Sequence, residues 1–193
     1  MSGLICGIDE AGRGCVGGSL FVCGVAYKES LIPSLSHLNI KDSKKLNHNQ
    51  RKEIALELLS NKNLSYHLVK KEAKEIDERG LSLCLREALE EIMHCIYERC
   101  EISRFIYDGN STFKAQTPLF VPLQTLVKGD TLIHQISSAS ILAKEAKDRE
   151  CEEIHSLYPD YGFLSHSGYC TASHKSKIQE LGYTPFHRKS FNL

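Results

Sequence analysis

Gly7-Ile8-Asp9-Glu10-Ala11-Gly12-Arg13-Gly14 is the stretch from which the rest of the sequence is best read. A short apolar run, Leu4 to Ile8, leads into two adjacent carboxylates, and a glycine-flanked arginine follows at once. On an extended strand Asp9 and Glu10 point to opposite faces. Where the strand gives way to a glycine-rich turn, both are expected to converge at the rim of a sheet. Carboxylates held together there repel unless a cation neutralises them. A hard divalent cation such as Mg²⁺ suits that place, because it takes one or two carboxylates and completes its octahedron with water and phosphate oxygens. Gly12 and Gly14 imply a backbone of unusual φ, or one that something approaches closely.

Gly12 to Gly17 also matches G-x-G-x-x-G, the dinucleotide-binding turn when it joins a strand to a helix. The context here is different. Three residues separate the first apolar run from the first glycine, and Ser19 to Tyr27 is β-branched and aromatic, which reads as a second strand. A nucleotide-cofactor enzyme of Rossmann type is therefore an alternative that needs a helix after Gly17.

Working outward, 193 residues suffice for one domain with a sizeable core. Lys plus Arg equals Asp plus Glu at 24 each, so no bulk positive field advertises a polyanion. The charge is nonetheless uneven: Glu72 to Glu101 is mainly acidic, whereas Tyr161 to Leu193 sets Lys175, Lys177, Arg188 and Lys189 against Glu180. The eight cysteines form no C-x-x-C pair, and Cys6, Cys23, Cys84 and Cys95 lie in apolar stretches as small hydrophobes. With no secretory leader and no run of 18 apolar residues, a cytoplasmic, reduced protein without a membrane span is expected. His166, Cys170 and His174 recur every four residues and would share a face, as zinc ligands do, if helical. Gly168 argues against a helix through all three.

The elements alternate. Asn47 to Leu59 predicts a helix capped by Asn47, and Leu64 to Val69 a short strand. Leu81, Leu85, Leu89, Ile92 and Ile96 mark a long amphipathic helix ending near Cys100. Arg104 to Tyr107 is a β run that stops at Asp108-Gly109-Asn110, and Leu123 to Val127 another that stops at Lys128-Gly129-Asp130. Leu132, Ile136, Ala139, Ala143 and Ala146 form a helical stripe rich in small residues, which permits close packing on a sheet. The pattern is α/β, one mixed sheet flanked by helices. Asp9 and Glu10, Asp108 and Asp130 thus follow three strands, where ligands of open α/β sheets gather. Taken singly, Asp108 reads as a turn aspartate and Asp130 as a helix N-cap. Together the four carboxylates are about what two Mg²⁺ ions about 4 Å apart need for in-line phosphoryl displacement.

GIDEAGRG followed by Gly18, DSKKL at 42 to 46, DGN at 108 to 110, KGD at 128 to 130, SSASILAK at 137 to 144, YPDYGFLSHSGY at 158 to 169 and HRKSF at 187 to 191 occur in that order. This succession resembles the motifs of prokaryotic ribonuclease HII, the type 2 ribonucleases H. The resemblance implies a ribonuclease H-like fold: one catalytic domain over residues 1–193, its last ~35 residues forming a C-terminal helical, substrate-contacting segment. It implies an endoribonuclease that cuts the RNA strand of RNA-DNA hybrids and nicks duplex DNA at embedded ribonucleotides, as in ribonucleotide excision repair and DNA replication. Two Mg²⁺ or Mn²⁺ ions would serve the reaction, which leaves 5′-phosphate and 3′-hydroxyl ends. By the same resemblance Asp9, Glu10, Asp108 and Asp130 are the metal-binding, catalytic carboxylates. Gly12, Arg13 and Gly14 read the 2′-hydroxyl that distinguishes RNA from DNA. Tyr169 recognises the ribose and stacks beside the following deoxyribose, and Lys44, Asn110, Ser138 and Ser140 belong to motifs that hold the strand's phosphates. Lys144 and Asp148, four apart on a helix, are expected to form a supporting ion pair.

Three positions depart from the family pattern. Ser19 replaces a usual proline and is expected to touch only strand entry. Ser167 replaces a basic residue and Cys170 a glycine, both beside Tyr169, so they bear on substrate preference rather than on catalysis. The sibling family, ribonuclease HIII, would be expected to show a different glycine motif and a large N-terminal domain, and with six residues before Gly7 no such domain is expected here. The chain is expected to act as a monomer, with RNA-DNA hybrid and ribonucleotide-containing duplex DNA as partners and no partner-binding tail. A hybrid-binding module without turnover is a further alternative; it would lack one of the carboxylates, and none is missing.

Overall fold

The computed structural model describes residues 3–40 and 46–193, so Lys44 lies outside the described residues. Among the described residues five strands form one mixed sheet: β1 Leu4–Ala11, β2 Leu20–Tyr27, β3 Ser65–Lys71, β4 Ile102–Asp108 and β5 Leu123–Leu126, in the order β3-β2-β1-β4-β5. β1 is central, antiparallel to β2 and parallel to β4; β3 is antiparallel to β2, and β5 parallel to β4. The glycine stretch therefore joins two antiparallel strands. A strand, not a helix, follows Gly17, which removes the Rossmann alternative.

Helices cover both faces: α1 His48–Ser60, α2 Ala73–Arg79, α3 Leu81–Tyr97 and α4 His134–Leu157, with α5 Phe163–His166 and α6 Ala172–Leu181 beyond. On one face α3 packs its Leu85, Leu89, Ile92 and Ile96 stripe against Cys6, Ile8, Val22 and Phe105. On the other, α1 and α4 enclose Ala11, Phe21, Cys23 and Val25. α1 starts at the expected cap, where Asn47 and Gln50 form a reciprocal capping box. α2 is an element the sequence periodicity did not separate from α3; Gly80, at φ +81°, divides them.

α4 starts later than predicted, and Asp130 is not its N-cap. Ile133 occupies that position without a side-chain cap, because Lys128 takes a left-handed φ of 59° and Gly129–Thr131 close a 3₁₀ turn first. The small-residue stripe does what was expected of it. α4 lies so close to β1 that a Cβ built on Gly7 falls 2.3 Å from the Ile136 nitrogen and 2.5 Å from the Gln135 carbonyl carbon. No side-chain rotation relieves contact with backbone, so Gly7→Ala is expected to destabilise by about 3 kcal/mol or more, read as a lowered thermal midpoint.

Gly168, at φ +86°, separates α5 from α6, so no helix runs through His166, Cys170 and His174. His166 and His174 instead stack at 4.0 Å between ring centroids, while Cys170 is exposed. Among the described residues no helix is long and apolar enough to cross a membrane, and all eight cysteines are free.

Candidate active site

Hydrogen-bonded pairing of β1 with β4 stops at Ile8 and Tyr107, one residue short of Asp9 and Asp108. β1 runs on through Ala11, still paired with β2, so Asp9 and Glu10 are within the strand rather than after it. Their side chains accordingly keep the strand alternation. Ala11 belongs to the α4 face, and Cys6 and Ile8 to the α3 face, which sets Asp9 toward α4 and Glu10 toward α3. The expected convergence is replaced by a different closeness: the two carboxylates flank the sheet rim and still couple strongly.

Asp9 is buried, and its carboxyl is raised from 3.8 to about 7. Burial is the main cause; the charge of Glu10 and then Asp108 add to it, against hydrogen bonds from Ser140 and the Glu10 N–H. Glu10 is also raised, by burial first, against the pull of Tyr107 and Arg13. Among the described residues neither its Oε2 nor the Tyr107 hydroxyl, both buried, has a partner in hydrogen-bonding geometry, although the two groups are near enough to act on each other. Arg13 Nη1 lies 3.6 Å from Glu10 Oε1, and its guanidinium sits 5.4 Å over the Phe113 ring.

Asp108 is held by the turn that precedes α4. Its Oδ1 accepts from the Gly129 N–H and its Oδ2 from the Asp130 N–H, both at 3.2 Å. Asp130 is buried on that same turn, and its carbonyl accepts from Ser137 Oγ. Close packing of α4 thus brings three chain-distant segments to one rim. Among the described residues no three His, Cys, Asp or Glu side chains already stand at coordinating distance from one point. The set nevertheless fits a hard cation in its chemistry: oxygen donors only, mutual repulsion, and a buried carboxylate oxygen, Glu10 Oε2, that no described residue hydrogen-bonds.

Beside the carboxylates a cavity of about 350 Å³ is lined by Glu10, Gly12, Arg13, Gly14, Lys144 and Tyr169, among others. The two glycines differ. Gly12 sits at φ +84°, and a Cβ there would lie 2.7 Å from the Ser19 carbonyl oxygen; Gly14 has no positive φ, and a Cβ there meets none of the described residues within 4 Å. Tyr169 is 54% exposed, its ring available to a ligand. A larger groove of about 1070 Å³ opens at the other end of β1, around Leu4, Tyr27 and Arg104, and holds none of these residues.

The predicted phosphate-holding residues are dispersed. Asn110 is exposed past the end of β4. Ser140 is buried, hydrogen-bonds Asp9 and accepts from Lys144 Nζ at 2.7 Å. Ser138 is also buried, but it is engaged with the Tyr27 hydroxyl at 3.1 Å and the His134 carbonyl at 2.9 Å, a placement that leaves no face for a strand. Lys144 and Asp148 do not pair. Asp148 takes Arg51 Nε at 2.8 Å and lies 3.3 Å from His48 Nδ1, since α1 supplies a cation nearer than the one a turn back on α4.

Ser19 reaches further than strand entry. Its N–H donates to Glu150 Oε2 at 2.7 Å and its hydroxyl to Glu150 Oε1. Glu150 pairs with Lys147, whose Nζ also donates to the carbonyls of Gly17 (3.0 Å) and Ser19 (3.2 Å). A buried ion pair on α4 thus anchors the far side of the glycine turn. The sequence reading missed this pair and Tyr107. Lys147 and Glu150 at i, i+3 were a usable signal for a pair, but nothing local shows that they face the turn.

The family model described as Ribonuclease HII matches residues 6–193. A protein named Ribonuclease HII from Helicobacter pylori (strain J99) is 44% identical over 188 residues, covering 97% of this chain and 88% of the relative. Among solved structures, the chain is similar to the RNase HII of a PCNA:RNase HII complex from Archaeoglobus fulgidus, with TM-score 0.79 and 27% identity over 98% of this chain and 96% of that one. Bst-RNase HIII in complex with Mn²⁺ has the same fold, with TM-score 0.77 and 18% identity over 97% of this chain and 67% of that one.

Proposed function

The chain belongs to the ribonuclease HII family, a ribonuclease H acting on RNA-DNA hybrids, and on that premise we propose that it also nicks duplex DNA at single embedded ribonucleotides by metal-assisted phosphodiester hydrolysis. The observation that carries the reading is the crowding of Asp9, Glu10 and Asp108 at one strand rim, with Glu10 Oε2 hydrogen-bonded by no described residue, beside a cavity floored by a glycine turn. Asp9, Glu10, Asp108 and Asp130 would hold two Mg²⁺ or Mn²⁺ ions. When bound, such ions supply Lewis-acid activation of water and of the leaving 3′-oxygen. A neighbour of the same fold, Bst-RNase HIII, is in complex with Mn²⁺, which is the reason to test that ion beside Mg²⁺.

The chain's own groups do the rest. The main chain of Gly12 to Gly14 meets the 2′-hydroxyl, Arg13 is braced by Glu10 and Phe113, and Tyr169 stacks on the sugar that follows. Lys144, held by Ser140, offers a cation to the strand, and Lys44 and Asn110 contact phosphates further along it. Residues 1–193 act in this reading as one catalytic unit, with 159–193 as the segment that meets substrate.

A labelled duplex carrying one ribonucleotide tests this directly. Cleavage at the ribonucleotide in Mg²⁺ or Mn²⁺, none in EDTA, and none of an all-DNA duplex is the expected result. A site built on a hydroxyl can reject its absence by a factor on the order of 10⁴. Binding of hybrid without cleavage in any metal would sink it. Because Asp130 is no helix cap, Asp130→Asn is expected to lose at least ~100-fold in turnover, and Asp108→Asn the same. Near-normal turnover of Asp130→Asn would remove it from the metal-binding set.

A further inference from the structure

The segment after α6 meets the glycine turn edge to edge. His187 forms an antiparallel bridge with Gly17. The Gly18 N–H donates to the Phe186 carbonyl at 2.7 Å, and the Arg188 N–H to the Val16 carbonyl at 2.8 Å. From this shared backbone the two neighbouring side chains, both buried, go to different targets. Arg188 Nε donates to the Gly18 carbonyl at 3.0 Å and its Nη1 to the Arg13 carbonyl at 3.1 Å, with the guanidinium 5.1 Å over Phe191. One buried cation thereby grips the turn between its two glycines and again at its exit.

His187 points the other way, and its hydrogen bonds determine its tautomer. Nδ1 accepts from the Thr184 N–H at 2.9 Å, which puts the ring proton on Nε2. That proton faces Nε2 of His174 at 3.0 Å, so His174 accepts there and carries its own proton on Nδ1, donated to the Tyr169 carbonyl at 2.9 Å. His166 stacks on His174 and accepts the Gly168 N–H at 3.1 Å, while its Nε2–H donates to the Tyr161 carbonyl at 2.8 Å. A second proton on His174 or His187 would set N–H against N–H. Accordingly both are depressed, by burial above all, His187 to about 4.

We propose that His187 and Arg188 are positioning residues that hold the two recognition elements in mutual register, Arg188 setting the glycine turn and His187, through His174, setting Tyr169. The inference rests on the reading of the turn and Tyr169 given above. It separates the two arms: the turn is used wherever a 2′-hydroxyl is read, whereas Tyr169 is needed most where deoxyribose follows a lone ribonucleotide.

The test measures kcat and KM in Mn²⁺ on a duplex with one ribonucleotide and on a continuous RNA-DNA hybrid, well below each variant's thermal midpoint. His187→Phe keeps the ring and loses the N–H; it is expected to lower kcat/KM for the lone ribonucleotide about tenfold relative to the hybrid. His187→Gln, which restores a donor at that reach, should recover most of the ratio. In a Tyr169→Ala background His187→Phe should no longer change the ratio, the signature of action through that ring. Arg188→Gln should instead lower both substrates about equally, again by about tenfold. Ile96→Ala, a cavity in the core beneath α3, should leave the ratio at its wild-type value.

Should His187→Phe not fold, Thr184→Val, which removes the hydroxyl that lies 2.8 Å from Nδ1 and accepts the Phe186 N–H at 3.3 Å, should shift the ratio in the same direction. An unchanged ratio in the folded His187 or Thr184 variants overturns the inference. So does an equal His187→Phe effect with and without the Tyr169 ring, or an Arg188→Gln enzyme unchanged on both substrates. A wild-type protein that cuts neither substrate overturns the functional reading itself, which is a separate result.

Discussion

Asp9→Asn is expected to abolish cleavage, by at least ~10³-fold, and at the same time to raise the thermal midpoint of the metal-free protein. Both outcomes come from one arrangement. Asp9 is buried, next to the charge of Glu10 and within reach of Asp108, so its ionised form is disfavoured and its carboxyl titrates at about 7 instead of 3.8. Between those two values the folded state binds more protons than the unfolded one, and stability falls as pH rises. The cost is complete above about pH 7, where it amounts to at most ~4 kcal/mol, and it vanishes below the unfolded value. Asn carries no charge to desolvate, so its advantage should appear in melts at pH 8 and disappear near pH 3. Adding Mn²⁺ should raise the midpoint of the wild type, by ~2.7 kcal/mol in stability at a hundredfold excess over Kd, and raise that of Asp9→Asn far less. A collapsed midpoint in Asp9→Asn at pH 8 would mean that the carboxylate supports the fold rather than the reaction.

Gly14→Ala is expected to lower kcat/KM by about a hundredfold with the thermal midpoint nearly unchanged. Among the described residues a methyl group there touches nothing, so their packing gives no reason for a glycine. The reason must be the approach of something else. Gly12→Ala provides the contrast: at φ +84°, with the Ser19 carbonyl oxygen 2.7 Å from the new Cβ, it should lose about 2 kcal/mol of stability as well as activity. Comparing melts and cleavage rates of the two variants on one substrate separates them. Full activity of Gly14→Ala would place the 2′-hydroxyl away from this turn.

Much of this was legible from local pattern. Apolar and β-branched runs located β1, β2 and β4, and helix-period spacing located α3, because the signal for each lies in residues near one another along the chain. The capping box at Asn47 and Gln50 was readable for the same reason, since both partners lie within one turn. The ordered motifs placed Asp9, Glu10, Asp108 and Asp130 as one candidate set.

What the chain order alone could not decide was direction and depth. Asp9 and Glu10 couple across the sheet rim instead of converging, because β2 continues to pair with β1 beyond the point where β4 stops. Asp130 is part of a buried turn, where Lys128 takes a left-handed φ and Gly129–Thr131 close a 3₁₀ turn ahead of α4. Ser138 turned inward to Tyr27 while Ser140, two residues on, faced Asp9, a rotation fixed by the sheet under the helix. The pairing of Arg188 with the Arg13 carbonyl, and of His187 with His174, spans long sequence separations. Periodicity reports which residues are buried because burial is set by near neighbours along the chain. A hydrogen bond between distant segments exists only once the sheet, α4 and the C-terminal segment have come together, and for that reason only the tertiary structure decided it.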